Sequence, residues 1–159
     1  MLRHVVGRRR QGTAPVIAIV TILAIVFAPA PTARADATDN LRSAVAQVRA
    51  GTSCGALRAN PVADQVAAKI NQSTQDYMEH QATQTPITDP LTGLKILGYP
   101  GSKASLLQGA STDYSDSIKA LMLQGYNKIP DCAYTDFGAN MQQNERTGYW
   151  LTVVVLAGA

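Results

Sequence analysis

The stretch Asp131-Cys132-Ala133-Tyr134-Thr135-Asp136-Phe137-Gly138-Ala139-Asn140-Met141, followed by Gly148-Tyr149-Trp150-Leu151-Thr152-Val153-Val154-Val155-Leu156, decides the fold. In its first half Phe137, Ala139 and Met141 alternate with polar neighbours, the pattern of a strand that buries one face. Its second half, Tyr149 to Leu156, is apolar on both faces, which predicts a central strand covered from both sides. Gln142 to Gly148 supplies the turn between them. The rest of the chain then reads as helices and loops that roof this hairpin.

Upstream, Asn60 and Pro61 open the most clearly marked helix, with an N-cap side chain followed by a proline at the first helical position. Ala63, Val66, Ala67, Ile70, Thr74 and Tyr77 give it one inward face, running to about Met78. Asn71-Gln72-Ser73 is formally a glycosylation sequon, but it falls mid-helix and reads as a solvated face. An earlier helix is expected from about Leu41 to Ala50, capped by Asp39 or Asn40, with Leu41, Ala44, Val45 and Val48 inward and Gly51 in a left-handed C′ position. Leu91 to Leu97 predicts a short helix, and Ala104 to Ala110 is open between a short strand and an irregular packed segment. A last helix is expected from about Asp113 to Gln124, with Ser111 or Thr112 as cap and Tyr114, Ile118, Leu121 and Met122 inward. Helices on both faces of a small sheet predict an α+β protein, a three-layer α-β-α sandwich.

Residues 1–35 read as a cleaved secretory signal peptide: Arg8-Arg9-Arg10, an apolar run from Val16 to Ala28, and Ala33-Arg34-Ala35 before a cut at Asp36. The apolar run falls short of the roughly 20 residues that span a bilayer, and Pro29 and Pro31 interrupt it, so no membrane anchor is expected to remain. The whole chain carries 14 Lys+Arg against 11 Asp+Glu, yet five of those cations, and none of the acids, lie in the leader. Residues 36–159 therefore hold nine cations against eleven acids, a net −2. That balance excludes a basic surface for nucleic acid or anionic membrane. The remaining residues suit one domain, and an exported even pair of cysteines, Cys54 and Cys132, predicts one disulfide. Metal ligation by the two thiols is the other reading, weakened because His80 is the sole histidine outside the leader.

At the hairpin, Tyr134-Thr135-Asp136-Phe137-Gly138 and Gly148-Tyr149-Trp150-Leu151-Thr152-Val153-Val154 resemble the C-terminal signature of the CAP superfamily. That superfamily takes in cysteine-rich secretory proteins, venom-allergen antigens, pathogenesis-related proteins and many bacterial exported proteins. The resemblance extends from about Leu57 to Leu156: a helix from Asn60-Pro61 to near His80, a loop with Gly98-Tyr99, then Leu106-Leu107-Gln108-Gly109-Ala110 and a helix into the hairpin. It implies the CAP fold and a central cleft, which in the family holds a divalent metal between two histidines and two acidic residues. The resemblance places the first histidine at His80. Gln108-Gly109-Ala110 stands where the family has Gly-Glu-Asn, and Tyr126 stands where the second histidine belongs. The paired glutamate and a tryptophan have no counterpart between Asp116 and Leu123. With at most one of four groups retained, the resemblance implies no metal, no cofactor and a degenerate, non-catalytic domain.

Among candidate sites, Asp76, Glu79 and His80 form the one titratable cluster at helical spacing, with Asp76 and His80 as i,i+4 neighbours able to act as acid and base. The competing reading is a surface ion pair at a helix C-terminus. A Ser/His/Asp hydrolase would have to use His80 and lacks a Gly-x-Ser-x-Gly elbow. Tyr134, Phe137, Tyr149 and Trp150 offer the lining of a groove for an apolar ligand, or simply core. The expected function is a secreted domain that binds a protein, glycan or lipid in the cell envelope or medium. A secreted hydrolase around His80 and a structural envelope component are the alternatives.

Overall fold

The computed structural model describes residues 32–159, so the expected signal peptide lies almost wholly outside the described residues. In chain order the elements are α1 (Thr32–Ala50), β1 (Arg58–Ala59), α2 (Pro61–Met78), α3 (Pro90–Ile96), β2 (Lys103–Ser111), α4 (Tyr114–Gly125), β3 (Tyr134–Gln143) and β4 (Trp150–Gly158). The sheet order is β1-β3-β4-β2, antiparallel throughout except for the short parallel β1. Among the described residues no helix is long and apolar enough to cross a membrane.

The hairpin is the centre of the molecule. Because side chains alternate along a strand, Val153, Val155 and Ala157 of β4 join Ala63, Val66, Ala67 and Ile70 of α2 and Leu94 of α3 in one core. Val154 and Leu156 face the other way, with Leu41 and Val45 of α1, Leu107 of β2 and Leu121 of α4. Three layers follow, α1 and α4 on one face of the sheet and α2 and α3 on the other. The pattern that predicts a central β4 and an α-β-α sandwich is therefore realised in these two cores.

Local chemistry sets the boundaries. The Asn60 carboxamide oxygen accepts from Val62 N and Ala63 N, at 2.9 and 3.2 Å, and starts α2 at Pro61. Asp113, rather than Ser111 or Thr112, caps α4 by accepting from Asp116 N at 3.0 Å. Helix α1 begins at Thr32, well before the sequence expectation, so Asp39 and Asn40 lie inside it and cap nothing. The Asn40 amide instead donates to the Tyr114 hydroxyl at 3.1 Å, tying α1 to α4. Residues Ala37, Leu41, Val45 and Arg49, spaced by four, are the buried face of α1, whereas Val48 stays 39% exposed. Gly51 is not left-handed; among the described residues the positive-φ positions are His80, Gly98 and Gly148.

Residues 104–110 form a regular edge strand paired to β4 over its whole length. At the other margin, β1 covers β3 only at Asp136 and Phe137. Beyond that point side chains close the edge of β3. The Ala139 N–H donates to the Asp64 carboxylate at 2.9 Å, and the Met141 N–H donates to the Thr38 hydroxyl at 3.1 Å. Arg42 of α1 reaches Asp64 of α2 at 3.0 Å across this margin.

Cys54 and Cys132 are bonded, with Cα atoms 5.1 Å apart and a sequence separation of 78. Beside the disulfide, the buried Arg49 guanidinium donates to four backbone carbonyls: Gly55 at 2.7 Å, Ile129 at 2.6 Å, Asp131 at 3.0 Å and Tyr134 at 2.8 Å. It thus fastens the end of α1 to the cysteine loop and to the approach to β3.

Candidate functional site

The sequence-predicted site residues are dispersed. His80 is exposed and sits one residue past the cap of α2, in the left-handed region at φ 57°. Its N–H donates to Tyr77 O at 3.1 Å and the next N–H, of Gln81, donates to Asp76 O at 2.8 Å, the paired bonds of a Schellman stop. The chain has left the helix before the i,i+4 geometry with Asp76 can form. The Asp76 carboxylate accepts from Gln72 at 2.6 Å instead. Glu79 is occupied too, accepting from Gln75, Gln81 and Asn144 at 3.2, 3.0 and 3.0 Å. The acid–base cluster read from the sequence is therefore not assembled.

Helix α3 ends in the same motif with glycine in the left-handed position, Gly98 at φ 83°, and Tyr99 N donating to Leu94 O at 2.9 Å. A Cβ there is disfavoured in an L-residue, so His80→Gly is expected to stabilise the domain by roughly 0.5–1 kcal/mol, the relief being offset in part by a freer unfolded chain. Urea unfolding of the two proteins measures it. A destabilised variant would mean that the imidazole is held by a partner.

The aromatic group also separates. Trp150 pairs with Gln143 and Phe137 with Leu156, which sets the two ends of the hairpin roughly 20 Å apart along the strands. Tyr134 and Phe137 are buried in the core at one end. At the other, Trp150 is half-buried edge-on to Tyr114, with ring centroids 5.0 Å apart, and Tyr149 is exposed outside β4. They do not line one groove. Tyr126, at the C-cap of α4, is 72% exposed. Among the described residues no group of three or more His, Cys, Asp or Glu is placed to hold a metal ion.

What the fold does assemble is a cleft between α2 and the β2–β4 pair. It measures about 290 Å³ and is lined by Asn71, Thr74, Gln108, Gly109, Ala110, Leu151 and Thr152. Gln108, Gly109 and Ala110 lie in it, while His80 and Tyr126 do not line it. Gly109 is required because the α4 backbone rests against the opposite face of β2. A Cβ there would stand 2.2 Å from Ser117 O. The Thr152 hydroxyl bridges the same contact, within 3.0 Å of Gly109 O and 3.2 Å of Ser117 O.

Asn71 is the residue that sequence reasoning misplaces. It is 1% exposed, not solvated. Its signal was present, since it follows Ala63 and Ala67 by fours on the inward face of α2. The Asn71 amide nitrogen donates to Asn140 Oδ1 at 2.7 Å and to Leu151 O at 3.0 Å. A backbone carbonyl can only accept, so Leu151 O fixes which end of the carboxamide is nitrogen. The other end, Oδ1, is buried without a hydrogen-bond partner. Further along the α2–β3 seam, Gln142 donates to Gln75 at 2.8 Å, and Gln75 and Asn144 donate to Glu79. The seam below the cleft is thus built of neutral amides ending on one fully engaged carboxylate. No ionisable side chain lines the cleft. Its two hydroxyls, of Thr74 and Thr152, already donate to backbone carbonyls, at Ile70 O and at Gly109 O and Ser117 O.

A second polar cluster, at the β1 end of the sheet, is structural. Arg58 donates twice to the Asp136 carboxylate, at 3.0 and 3.1 Å, and the Tyr99 hydroxyl donates to it at 2.8 Å. Burial pushes the Asp136 carboxyl up, but the bonds from Tyr99, Arg58 and Thr135 together outweigh it and hold the group below the usual carboxylate range. The Tyr99 phenol is pushed up to about 12, first by burial and then by the carboxylate that it faces. These paired groups fix the two-residue β1 against β3.

No protein-family model and no curated protein matches the chain in sequence. Solved structures do match its fold. An outer surface protein of Borrelia burgdorferi superposes with a TM-score of 0.62 at 12% identity, over 77% of this chain and 92% of that one. A cysteine-rich secretory protein of Staphylococcus aureus gives 0.54 at 11% identity over 79% of this chain. An extracellular protein of Bacillus anthracis containing a SCP domain gives 0.57 at 11% identity, again over 79%. The chain spans only 39% and 41% of those last two proteins. The fold is therefore CAP-like, an α-β-α sandwich shared at identities that speak for architecture alone.

Proposed function

We propose that this chain is an exported, non-catalytic CAP-like binding domain whose cleft takes a neutral group rich in hydroxyls or amides, such as a sugar ring of an envelope glycan. One observation carries the reading: the cleft walls hold Thr74 and Gln108 and no ionisable side chain. A charged ligand would find no counter-ion on these walls, whereas a hydroxyl finds Thr74 and Gln108. Export is supported by the leader-like residues 1–35 and by the outer-surface, secretory and extracellular descriptions of the proteins that share the fold.

The test is an NMR titration of residues 36–159 with a panel of neutral saccharides and amidated muropeptide fragments. Shifts are expected at Asn71, Gln108, Ala110 and Leu151 for at least one compound. Ala110 is exposed, so Ala110→Leu should fill the cleft without unfolding the domain and weaken that compound roughly tenfold or more. Shifts confined to other surfaces, or undiminished affinity in the filled variant, would overturn the reading.

A further inference from the structure

The threonines of this domain divide into two groups. Most use their hydroxyls to hold the fold: Thr38 accepts from the Met141 N–H at 3.1 Å, Thr74 donates to Ile70 O at 3.2 Å, Thr135 donates to the Asp136 carboxylate at 3.0 Å and Thr152 donates to Gly109 O at 3.0 Å. Thr83 and Thr85 do not. Both are exposed, and among the described residues neither hydroxyl has a hydrogen-bond partner. They lie in the connection from Met78 to Pro90, the longest between any two described elements. Behind them the Ala82 N–H still donates to Asp76 O at 3.2 Å, and ahead of them the Ile87 N–H donates to the Ser73 hydroxyl at 3.1 Å. Between these two anchors, residues 83–86 make no backbone hydrogen bond to the other described residues.

Proline sets the shape of that stretch. Pro86 has no N–H to give, and its ring steers Thr85 away from the helical region toward extended backbone. Pro90 does the same to Asp89, which is extended at φ −105° and ψ 108°. An enzyme acting on the chain from outside needs such a strip, unpaired backbone that it can lay in its own cleft without unfolding the domain. The side chains then narrow the chemistry. Gln81-Ala82-Thr83-Gln84-Thr85-Pro86 holds no lysine, cysteine or acid, so its nucleophiles are the two threonine oxygens. Threonine beside proline in an exposed exported segment is the composition of O-linked glycosylation. The formal N-linked sequon is closed by contrast, because Asn71 is 1% exposed and its amide is bonded to Asn140. We propose that Thr83 and Thr85 are glycosyl acceptors, modified during export by a membrane transferase that uses a sugar carried on a polyprenyl phosphate. Threonine Oγ bonds to the anomeric carbon, its proton passes to a base of the transferase, and the bond from that carbon to the phosphate breaks, releasing polyprenyl phosphate. Thr88 and Thr112 are exposed too but stay unmodified. Thr88 is held between the Ile87 anchor and the Asp89 cap, and Thr112 between Ser111 and Asp113, which are bonded to each other. The assignment depends on export and not on the polar cleft.

Intact-mass spectrometry of the chain secreted by its native host tests this, with the same chain made in a bacterial cytosol as the unmodified reference. The secreted protein should be heavier by whole monosaccharide units, and electron-transfer fragmentation should place them on Thr83 and Thr85. Thr83→Val with Thr85→Val should lose the whole increment and keep the melting temperature of the unglycosylated reference, since neither hydroxyl bonds to the fold. Thr88→Val with Thr112→Val should keep the increment. The N-terminal residue of the secreted chain reports leader removal independently of any sugar. A secreted chain that begins at Asp36 and carries no sugar would overturn the assignment and leave export standing. Sugar on other residues alone, or a phosphate increment in its place, would overturn it as well, and a chain retained in the cytosol would overturn both.

Discussion

Replacing Arg49 by alanine is expected to remove about 3–5 kcal/mol of stability, one of the two largest effects that a change in this domain should have. The side chain is 2% exposed and its guanidinium serves carbonyls from three separate segments, the Cys54 loop, the turn after α4 and the start of β3. Among the described residues no carboxylate balances it, so the carbonyl dipoles carry the whole task of solvating the charge. Alanine would take this donor from the buried Ile129 and Tyr134 carbonyls, and would open a void at the foot of α1. Lysine should recover less than half of the loss, since three donors on one nitrogen cannot reach carbonyls spread across a planar fork. Urea unfolding with an unchanged m-value is the measurement. A loss under about 1 kcal/mol for the alanine variant would show that water replaces the guanidinium without penalty.

Reduction of Cys54–Cys132 is expected to cost about 4 kcal/mol, by freeing a long loop in the unfolded chain, and to lower the melting temperature by about 15 °C. The bond spans 78 positions and lies beside Arg49, but the two act on different states. The disulfide restricts the unfolded ensemble, whereas the arginine stabilises the folded one; because both hold the Cys54 loop, a double-mutant cycle should show coupling beyond the simple sum of the two losses. Their sum approaches the roughly 5–15 kcal/mol that holds an ordinary domain together. Reduced Arg49→Ala protein should therefore be largely unfolded at room temperature, while each single change leaves a cooperative melt. An unchanged melt on complete reduction would remove the staple from this account.

How far the sequence announces this structure depends on which physical signal each element carries. The all-apolar run of β4 and the Asn60-Pro61 opening of α2 are unambiguous because covered strands and capped helices leave few alternatives. Strand β1 is invisible: Arg58 and Ala59 are exposed and show no alternation. It forms because Asp136 draws Arg58 in and Asn60 N bonds to Phe137 O at 2.9 Å. Arg49 escapes a hydrophobic stripe because it is charged, although it follows Val45 by four on the buried line. The same bias hides Asn71 and exaggerates His80. Helical spacing extended through the end of α2 gives His80 a partner that the left-handed stop takes away. Gln108, Gly109 and Ala110, part of the family resemblance, do line a cleft, yet the buried Asn71 beside them belongs to no histidine or glutamate pattern.

The closed margin of β3 has a bearing on self-association. With Asp64 and Thr38 seated on its amides, that side of the sheet cannot accept a strand from a neighbouring molecule. Among the described residues the other long border is β2, and there the Gln108 N–H is already bonded to the Gln124 side chain. Stacking of sheets edge to edge needs two open borders on every copy, and this molecule offers at most one.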